Sequence, residues 1–134
     1  MWFLWIFGDN VEDDMGHGSY LAFYLACGIL ASLAFVALNA VGEAALTPCL
    51  GASGAISGVL GGYLVLHPNR RVSVIAVRML IDVPGYVAVG IWFLFQVVSG
   101  FFDAGSAAGG GVAYSAHVAG FVAGMILAKP MSRR

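Results

Sequence analysis

The chain has 134 residues, of which 60% are hydrophobic and only 10% are charged, and its formal net charge is -1. A surface exposed to water needs more polar residues than this chain has. The composition therefore indicates one membrane domain, residues 1–134, and excludes an ordinary soluble globular protein. No basic patch suggests nucleic acid as a partner, and no Cys-x-x-Cys or His-Glu-x-x-His spacing suggests a metal, so we predict neither metal nor cofactor.

The N-terminal part of the chain predicts two elements and one complete membrane helix. Residues 1–8 are apolar and aromatic but shorter than the roughly 20 residues of a span, so we interpret them as the end of a helix that began earlier. The acidic stretch 9–19 predicts a short extramembrane loop. The uncharged run 20–41 predicts the first complete span.

Residues 52–66 predict the second span, after a loop that contains Glu43 and Pro48. Gly54, Gly58 and Gly62 recur at every fourth position along it. This spacing places them on one flat helix face, against which another helix can pack backbone to backbone. We therefore expect this helix at the centre of the bundle.

The C-terminal half predicts two further spans. Residues 72–84 are too short and too charged for a span and predict an interfacial loop. Residues 85–102 predict the third span, 103–111 a flexible loop of mainly glycine, alanine and serine, and 113–128 the fourth span. The predicted fold is an all-α polytopic transmembrane helix bundle with four complete spans and a partial one at the N-terminus.

Basic residues follow the second and fourth predicted spans, namely Arg70 with Arg71, and Lys129 with Arg133 and Arg134. By the positive-inside rule, both ends are cytoplasmic, and so is the C-terminus. Ser53 and His117 each precede these charges by about 25 Å of helix at about 1.5 Å per residue. We therefore expect both side chains at one level, within hydrogen-bond reach of each other.

Two segments carry this serine and histidine in motifs, Gly51-Ala52-Ser53-Gly54 and Ala116-His117-Val118-Ala119-Gly120 continuing to Gly124. They resemble the Gly-x-Ser-Gly and Ala-His-x-x-Gly-x-x-x-Gly motifs of the rhomboid family of intramembrane serine proteases. The aromatic segment at residues 5–13 is similar to the end of the family's second membrane helix, so the resemblance covers nearly the whole chain.

The resemblance implies a serine endopeptidase that cleaves transmembrane protein substrates near the outer face of the lipid bilayer. Ser53 would attack the peptide carbonyl while His117 takes its proton, and the backbone around Gly51, Ala52 and Ser53 would stabilise the oxyanion. Ser57, one turn after Ser53, is expected to be structural. The helix-packing glycines would be Gly54, Gly58, Gly120 and Gly124, and the candidate substrate gate Phe101 and Phe102.

The sequence is also compatible with functions other than proteolysis. The family has a His-x-x-x-Asn pair on the helix before the aromatic segment, and we expect this chain to be incomplete at its N-terminus, without that asparagine. The alternatives are a non-catalytic rhomboid-like membrane protein that binds other membrane helices, or an inactive fragment. A transporter is the third choice, because His117 has no acidic partner within a span.

Overall fold

The structure is a computed structural model that describes residues 3–38, 52–76, 79–104 and 114–133. This described part is mostly helical. In chain order the elements are a π-helical turn at Leu4–Gly8, α1 at Asp9–Met15, α2 at His17–Leu38, α3 at Ser53–Leu66, β1 at Arg71–Ala76, β2 at Met79–Pro84, α4 at Gly85–Ala104 and α5 at Tyr114–Met131.

The acidic segment that follows the first aromatic residues is helical over residues 9–15. Val11 and Met15, four residues apart, are both fully buried and give α1 an inward face. The helix ends at Gly16, whose φ of +79° lies in the left-handed region that glycine adopts without strain. The prediction of a loop over residues 9–19 is therefore wrong, because the charges in this segment obscured the buried pair. Its position outside the membrane stays a prediction.

Two helices within the described residues are long and apolar enough to cross a bilayer, His17–Leu38 and Gly85–Phe102. The serine-bearing helix α3 is apolar but has only 14 residues. The last helix, α5, has 18 residues and includes Lys129 and Pro130 in its final turn. Thus two of the four predicted spans meet the length and hydropathy expected of a complete span.

Helix α2 is apolar on all sides but buries only one stripe. Its buried residues recur every four positions and are Phe23, Cys27, Ala31 and Phe35. Large side chains on its other faces, including Leu25, Ile29 and Leu33, are more than half exposed. A helix that exposes so much apolar surface is suited to lipid rather than to water.

β1 and β2 form a two-stranded antiparallel sheet where a loop was predicted over residues 72–84, so the described fold is helical with one small sheet. The position of this segment at the membrane interface stays a prediction. β1 and β2 pair in the register Arg71 with Pro84 and Ser73 with Asp82, and the Ser73 hydroxyl donates to the Asp82 carboxylate at 2.5 Å. The sequence here is rich in valine and isoleucine, whose branched side chains favour strands. The prediction missed this preference because it weighed only span length and charge.

Helices α3 and α5 pack backbone to backbone at the centre of the structure. A Cβ atom at Gly120 would collide with the carbonyl of Gly54, and one at Gly124 would collide with the carbonyl of Gly58. Moving four residues along α3, from Gly54 to Gly58, thus corresponds to moving four residues in the same direction along α5, from Gly120 to Gly124. The two helices run parallel, with their N-termini at the same end of the molecule.

A polar contact joins α1 to the C-terminal ends of α3 and α5. The Asp14 carboxylate pairs with Nε2 of His67, just after α3, at 3.0 Å. The backbone N–H of Arg133, just after α5, donates to the Asp14 carbonyl at 2.9 Å. Because Asp14 is only 8% exposed, this contact is largely shielded from water. We call these three residues the Asp14 clamp.

Candidate active site

Ser53 is the first residue of α3 and its side chain is exposed. The first intrahelical hydrogen bond runs from the Ile56 N–H to the Ala52 carbonyl at 3.0 Å, and no side chain caps the helix. The N–H groups of Ser53, Gly54 and Ala55 therefore precede the hydrogen-bonded part of the helix, where backbone donors attract negative charge. Gly51, the other predicted oxyanion residue, lies outside the described residues.

A groove of about 430 Å³ between α2 and α3 opens beside Ser53. Residues of α2, including Ile29, Ser32 and Val36, form one wall, and Ala116 of α5 contributes to its lining. The Ser53 hydroxyl is therefore accessible from a mostly apolar surface of the molecule.

Ser57 lies one turn further along α3 and is 1% exposed. Its hydroxyl donates to the Ser53 carbonyl at 2.8 Å, a bond within the helix that satisfies the buried hydroxyl. Ser57 thus has a local structural partner, whereas Ser53 presents its hydroxyl outward.

His117 lies on α5 and faces α4. Its Nδ1 atom is 2.6 Å from Oε1 of Gln96. The indole of Trp92 lies at a ring-centroid distance of 6.4 Å, and the phenol ring of Tyr114 is edge-on to the imidazole at 6.2 Å. The imidazole is therefore placed by one hydrogen bond and two aromatic neighbours.

The parallel register of α3 and α5 brings Ser53 and His117 to similar levels. Since Gly54 lies opposite Gly120, Ser53 lies within about two residues of His117 along the axis, roughly 3 Å. Among the hydrogen bonds of the described residues, however, none joins the two side chains, and the bond of the imidazole runs from Nδ1 to Gln96 on α4. Catalytic hydrogen bonds are often long in substrate-free structures and tighten with substrate.

Gln96 is a functional candidate that the sequence reasoning missed. It lies within the apolar run of α4 and is only 7% exposed. A signal was available, because a carboxamide within a span carries two donors and an acceptor that lipid cannot satisfy. The prediction of a span over residues 85–102 rests on its apolar residues and assigns Gln96 no role.

The predicted gate residues Phe101 and Phe102 lie near the C-terminal end of α4, and each is 77% exposed. They do not contact the groove beside Ser53, whose lining comes from α2, α3 and α5. Their exposure suits either lipid contact or a gate, so the gate stays a prediction. Of the flexible loop predicted at 103–111, residues 103 and 104 belong to α4, and the rest lies outside the described residues.

The chemical groups at this end of the molecule are those that acyl transfer uses: a hydroxyl, an imidazole and the backbone N–H groups of a helix N-terminus. Across the described ranges, no cluster of three or more histidine, cysteine, aspartate or glutamate side chains is arranged to hold a metal ion.

Comparison with known proteins yields several relatives. The chain is 30% identical over 125 residues to Rhomboid protein 1, mitochondrial, of Saccharomyces cerevisiae, covering 92% of this chain and 34% of that protein. It is 32% identical over 80 residues to the human Presenilin-associated rhomboid-like protein, mitochondrial, covering 59% of this chain and 21% of the relative. It is 40% identical over 68 residues to Rhomboid protease GluP of Bacillus subtilis, covering 51% of this chain and 12% of the relative.

The chain thus spans about a third or less of the length of these relatives. No solved structure shows significant similarity to it. The family model for the Rhomboid domain matches residues 1–134, the full length of the chain. With the parallel helices that carry Ser53 and His117, this match shows that the chain belongs to the rhomboid family of integral membrane proteins.

Proposed function

We propose that this protein is an intramembrane serine endopeptidase that uses Ser53 as nucleophile and His117 as base. The observation that supports this most directly is the parallel register of α3 and α5, which puts the exposed hydroxyl and the imidazole at one level. Family membership adds to it, since rhomboid proteins are generally intramembrane serine proteases. One relative is itself named a rhomboid protease.

The proposed reaction begins when Nε2 of His117 takes the proton of the Ser53 hydroxyl as its oxygen attacks the peptide carbonyl carbon. The carbonyl oxygen becomes negative and is stabilised by backbone N–H groups at the start of α3, each worth about 2.7–4 kcal/mol in known enzymes. The imidazolium then donates its proton to the leaving amine, the C–N bond breaks, and an acyl-enzyme remains. Water, deprotonated by His117, hydrolyses this ester and restores the Ser53 hydroxyl.

The proposed setting is a bilayer crossed by four helices, with Ser53 near the outer face and the C-terminus in the cytoplasm. The basic residues after α3 and α5, including Arg70 and Arg133, support this orientation. The substrates would be transmembrane proteins. A single cysteine placed at Ser132, in a background without other cysteines, should react with an impermeant maleimide only from the cytoplasmic side, and reaction from outside would contradict the orientation.

A fluorescent serine-directed phosphonate tests the nucleophile and the base together. The protein in membranes should be labelled at Ser53, and both Ser53→Ala and His117→Ala should abolish labelling and cleavage of a membrane-anchored substrate. Ser57→Ala is the matched control, because it removes a hydroxyl four residues away and should leave labelling intact. Labelling that persists after Ser53→Ala would contradict the nucleophile assignment.

A non-catalytic rhomboid-like protein that binds other membrane helices is the second candidate. The observation that favours it is that no hydrogen bond joins Ser53 to His117 among the described residues. It predicts that the folded wild-type protein is not labelled, whereas the protease predicts labelling that depends on His117. The same phosphonate experiment therefore separates the two functions.

A further inference from the structure

Gln96 is a buried carboxamide in the middle of a helix that otherwise presents apolar and aromatic side chains. Gln96 is 7% exposed. Trp92 lies one turn before it along the helix, and Val97 directly follows it. Burying an amide without partners costs free energy, so such a residue in an apolar helix needs a hydrogen-bond partner or a function. Its Oε1 atom meets Nδ1 of His117 at 2.6 Å.

The chemistry of this bond defines the tautomer of His117. With the amide oxygen facing the ring, as it does here, Nδ1 donates and carries the ring's proton, because an amide oxygen only accepts hydrogen bonds. In a neutral imidazole the other nitrogen, Nε2, then holds the free lone pair. That is the form of histidine that can remove a proton from a hydroxyl.

Two aromatic side chains, Trp92 and Tyr114, flank the His117 imidazole and help to orient its ring for the hydrogen bond to Gln96. Trp92 lies one helical turn before Gln96 on α4, so the indole and the carboxamide approach the imidazole from the same helix. Tyr114, one turn before His117 on α5, meets the imidazole edge-on from its own helix. Rotation of the ring about its bonds would break the Gln96 hydrogen bond and disturb both aromatic contacts.

We infer that Gln96 is a positioning residue that holds His117 in the Nδ1–H tautomer and orients Nε2 for proton removal from Ser53. The inference rests on the proposed function, since it assigns Gln96 a part in the same reaction. A neutral carboxamide would thus occupy the place of the third group that orients the base in serine and cysteine hydrolases. Its oxygen also stabilises the imidazolium that forms during acyl transfer.

The first test is a readout of the tautomer that needs no activity. In the Ser53→Ala protein with ¹⁵N-labelled histidine, the His117 resonances, assigned by comparison with His117→Ala, should show a protonated Nδ1 and an unprotonated Nε2. Gln96→Leu, and the closer isostere Gln96→Met, should move the population toward protonated Nε2. If His117 is protonated at Nε2 in the Ser53→Ala protein that keeps Gln96, the inference is overturned.

The second test is the rate at which the phosphonate labels Ser53. Gln96→Met should slow labelling by about 10-fold or more, the effect of losing one hydrogen bond of roughly 1.4 kcal/mol. Gln96→Glu should restore most of the rate, because a carboxyl group retains an acceptor oxygen in either protonation state. The matched control is Phe93→Leu, which weakens the stacking of Phe93 on Phe121, at 4.3 Å, without removing the hydrogen bond to His117.

The outcomes distinguish a failure of the positioning role of Gln96 from a failure of the Ser53–His117 dyad. If the Gln96→Met protein folds and is labelled at the wild-type rate, the positioning role is refuted. It is also refuted if Phe93→Leu slows labelling as much as Gln96→Met does and Gln96→Glu does not restore the labelling rate. If the tautomer depends on Gln96 but labelling of Ser53 does not require His117, the proposed dyad fails and the catalytic role of Gln96 fails with it. A coupled loss of tautomer and rate in Gln96→Met, with rescue by Gln96→Glu, supports both.

Discussion

Replacing Gly124 with alanine should separate the two central helices. The added Cβ would lie 2.6 Å from the carbonyl carbon of Gly58 and 2.7 Å from its Cα, with the carbonyl oxygen closer still. Ordinary van der Waals contact begins near 3.4 Å, so the backbones must move apart by about 1 Å. No flexible side chain on α3 can turn away instead, because the atoms in contact belong to the backbone.

The cost follows from this geometry. Overpacking a well-packed interior costs about 1–3 kcal/mol, and a rigid backbone neighbour favours the upper end. A gap of about 1 Å along the interface also forfeits a quarter to a half of the dispersion energy of the atoms concerned. Alanine gains roughly 0.5–1 kcal/mol over glycine within a helix, which offsets part of the loss. We expect Gly124→Ala to lower the free energy of unfolding by about 2 kcal/mol.

Denaturant unfolding in detergent micelles, followed by tryptophan fluorescence, measures this change. Gly90→Ala on α4 is the matched control, because a Cβ there has no heavy atom within 4 Å and should be neutral or stabilising. The phosphonate labelling rate of Gly124→Ala should also fall, since separation of α3 from α5 moves Ser53 away from His117. Equal unfolding free energies for the two variants would refute the backbone-contact reasoning.

Three further changes test other parts of the structure. His67→Ala removes the imidazole that pairs with the Asp14 carboxylate and should lower the free energy of unfolding by about 1.5 kcal/mol in the same titration; an unchanged value would show that the pair is not stabilising. Gly16→Ala should lower the free energy of unfolding by at least about 1 kcal/mol, because φ there is +79° and the added Cβ would meet the Arg133 guanidinium. Gly18→Ala, in open space, should leave the free energy of unfolding unchanged, and equal losses in the two variants would contradict this. Cys27 is fully buried, so as the only cysteine retained it should react with a maleimide only after unfolding, and rapid reaction of the folded protein would be inconsistent with the packing.

The glycine spacing allowed the central packing to be anticipated from sequence. A four-residue repeat of glycine in an apolar helix has few uses other than close backbone approach, and Gly54, Gly58 and Gly120 all take part in such contacts. The common level of Ser53 and His117 could also be derived, because it depends only on helix rise and on the position of the basic residues. These features are set by local sequence and simple geometry.

Other features depend on tertiary contacts that composition does not reveal. The charges of Asp9 and Glu12 suggested a loop, yet α1 persists because Val11 and Met15 are buried against the rest of the protein. The orientation of His117 was equally inaccessible. Only the packing of α4 on α5 shows that its hydrogen bond goes to Gln96 and not to Ser53.

The Asp14 clamp fixes α3 and α5 at the end of the molecule opposite the reactive side chains. The two helices are therefore joined at their C-terminal ends, and a change in the angle between them about that end would displace their N-termini the most. The 14 residues of α3 give a lever about 20 Å long, so a rotation of about 5° moves Ser53 by nearly 2 Å. That displacement is comparable to the difference between a loose contact and a hydrogen bond. In the proposed protease, residues remote from the substrate would thus help to set the distance between the Ser53 hydroxyl and the His117 imidazole.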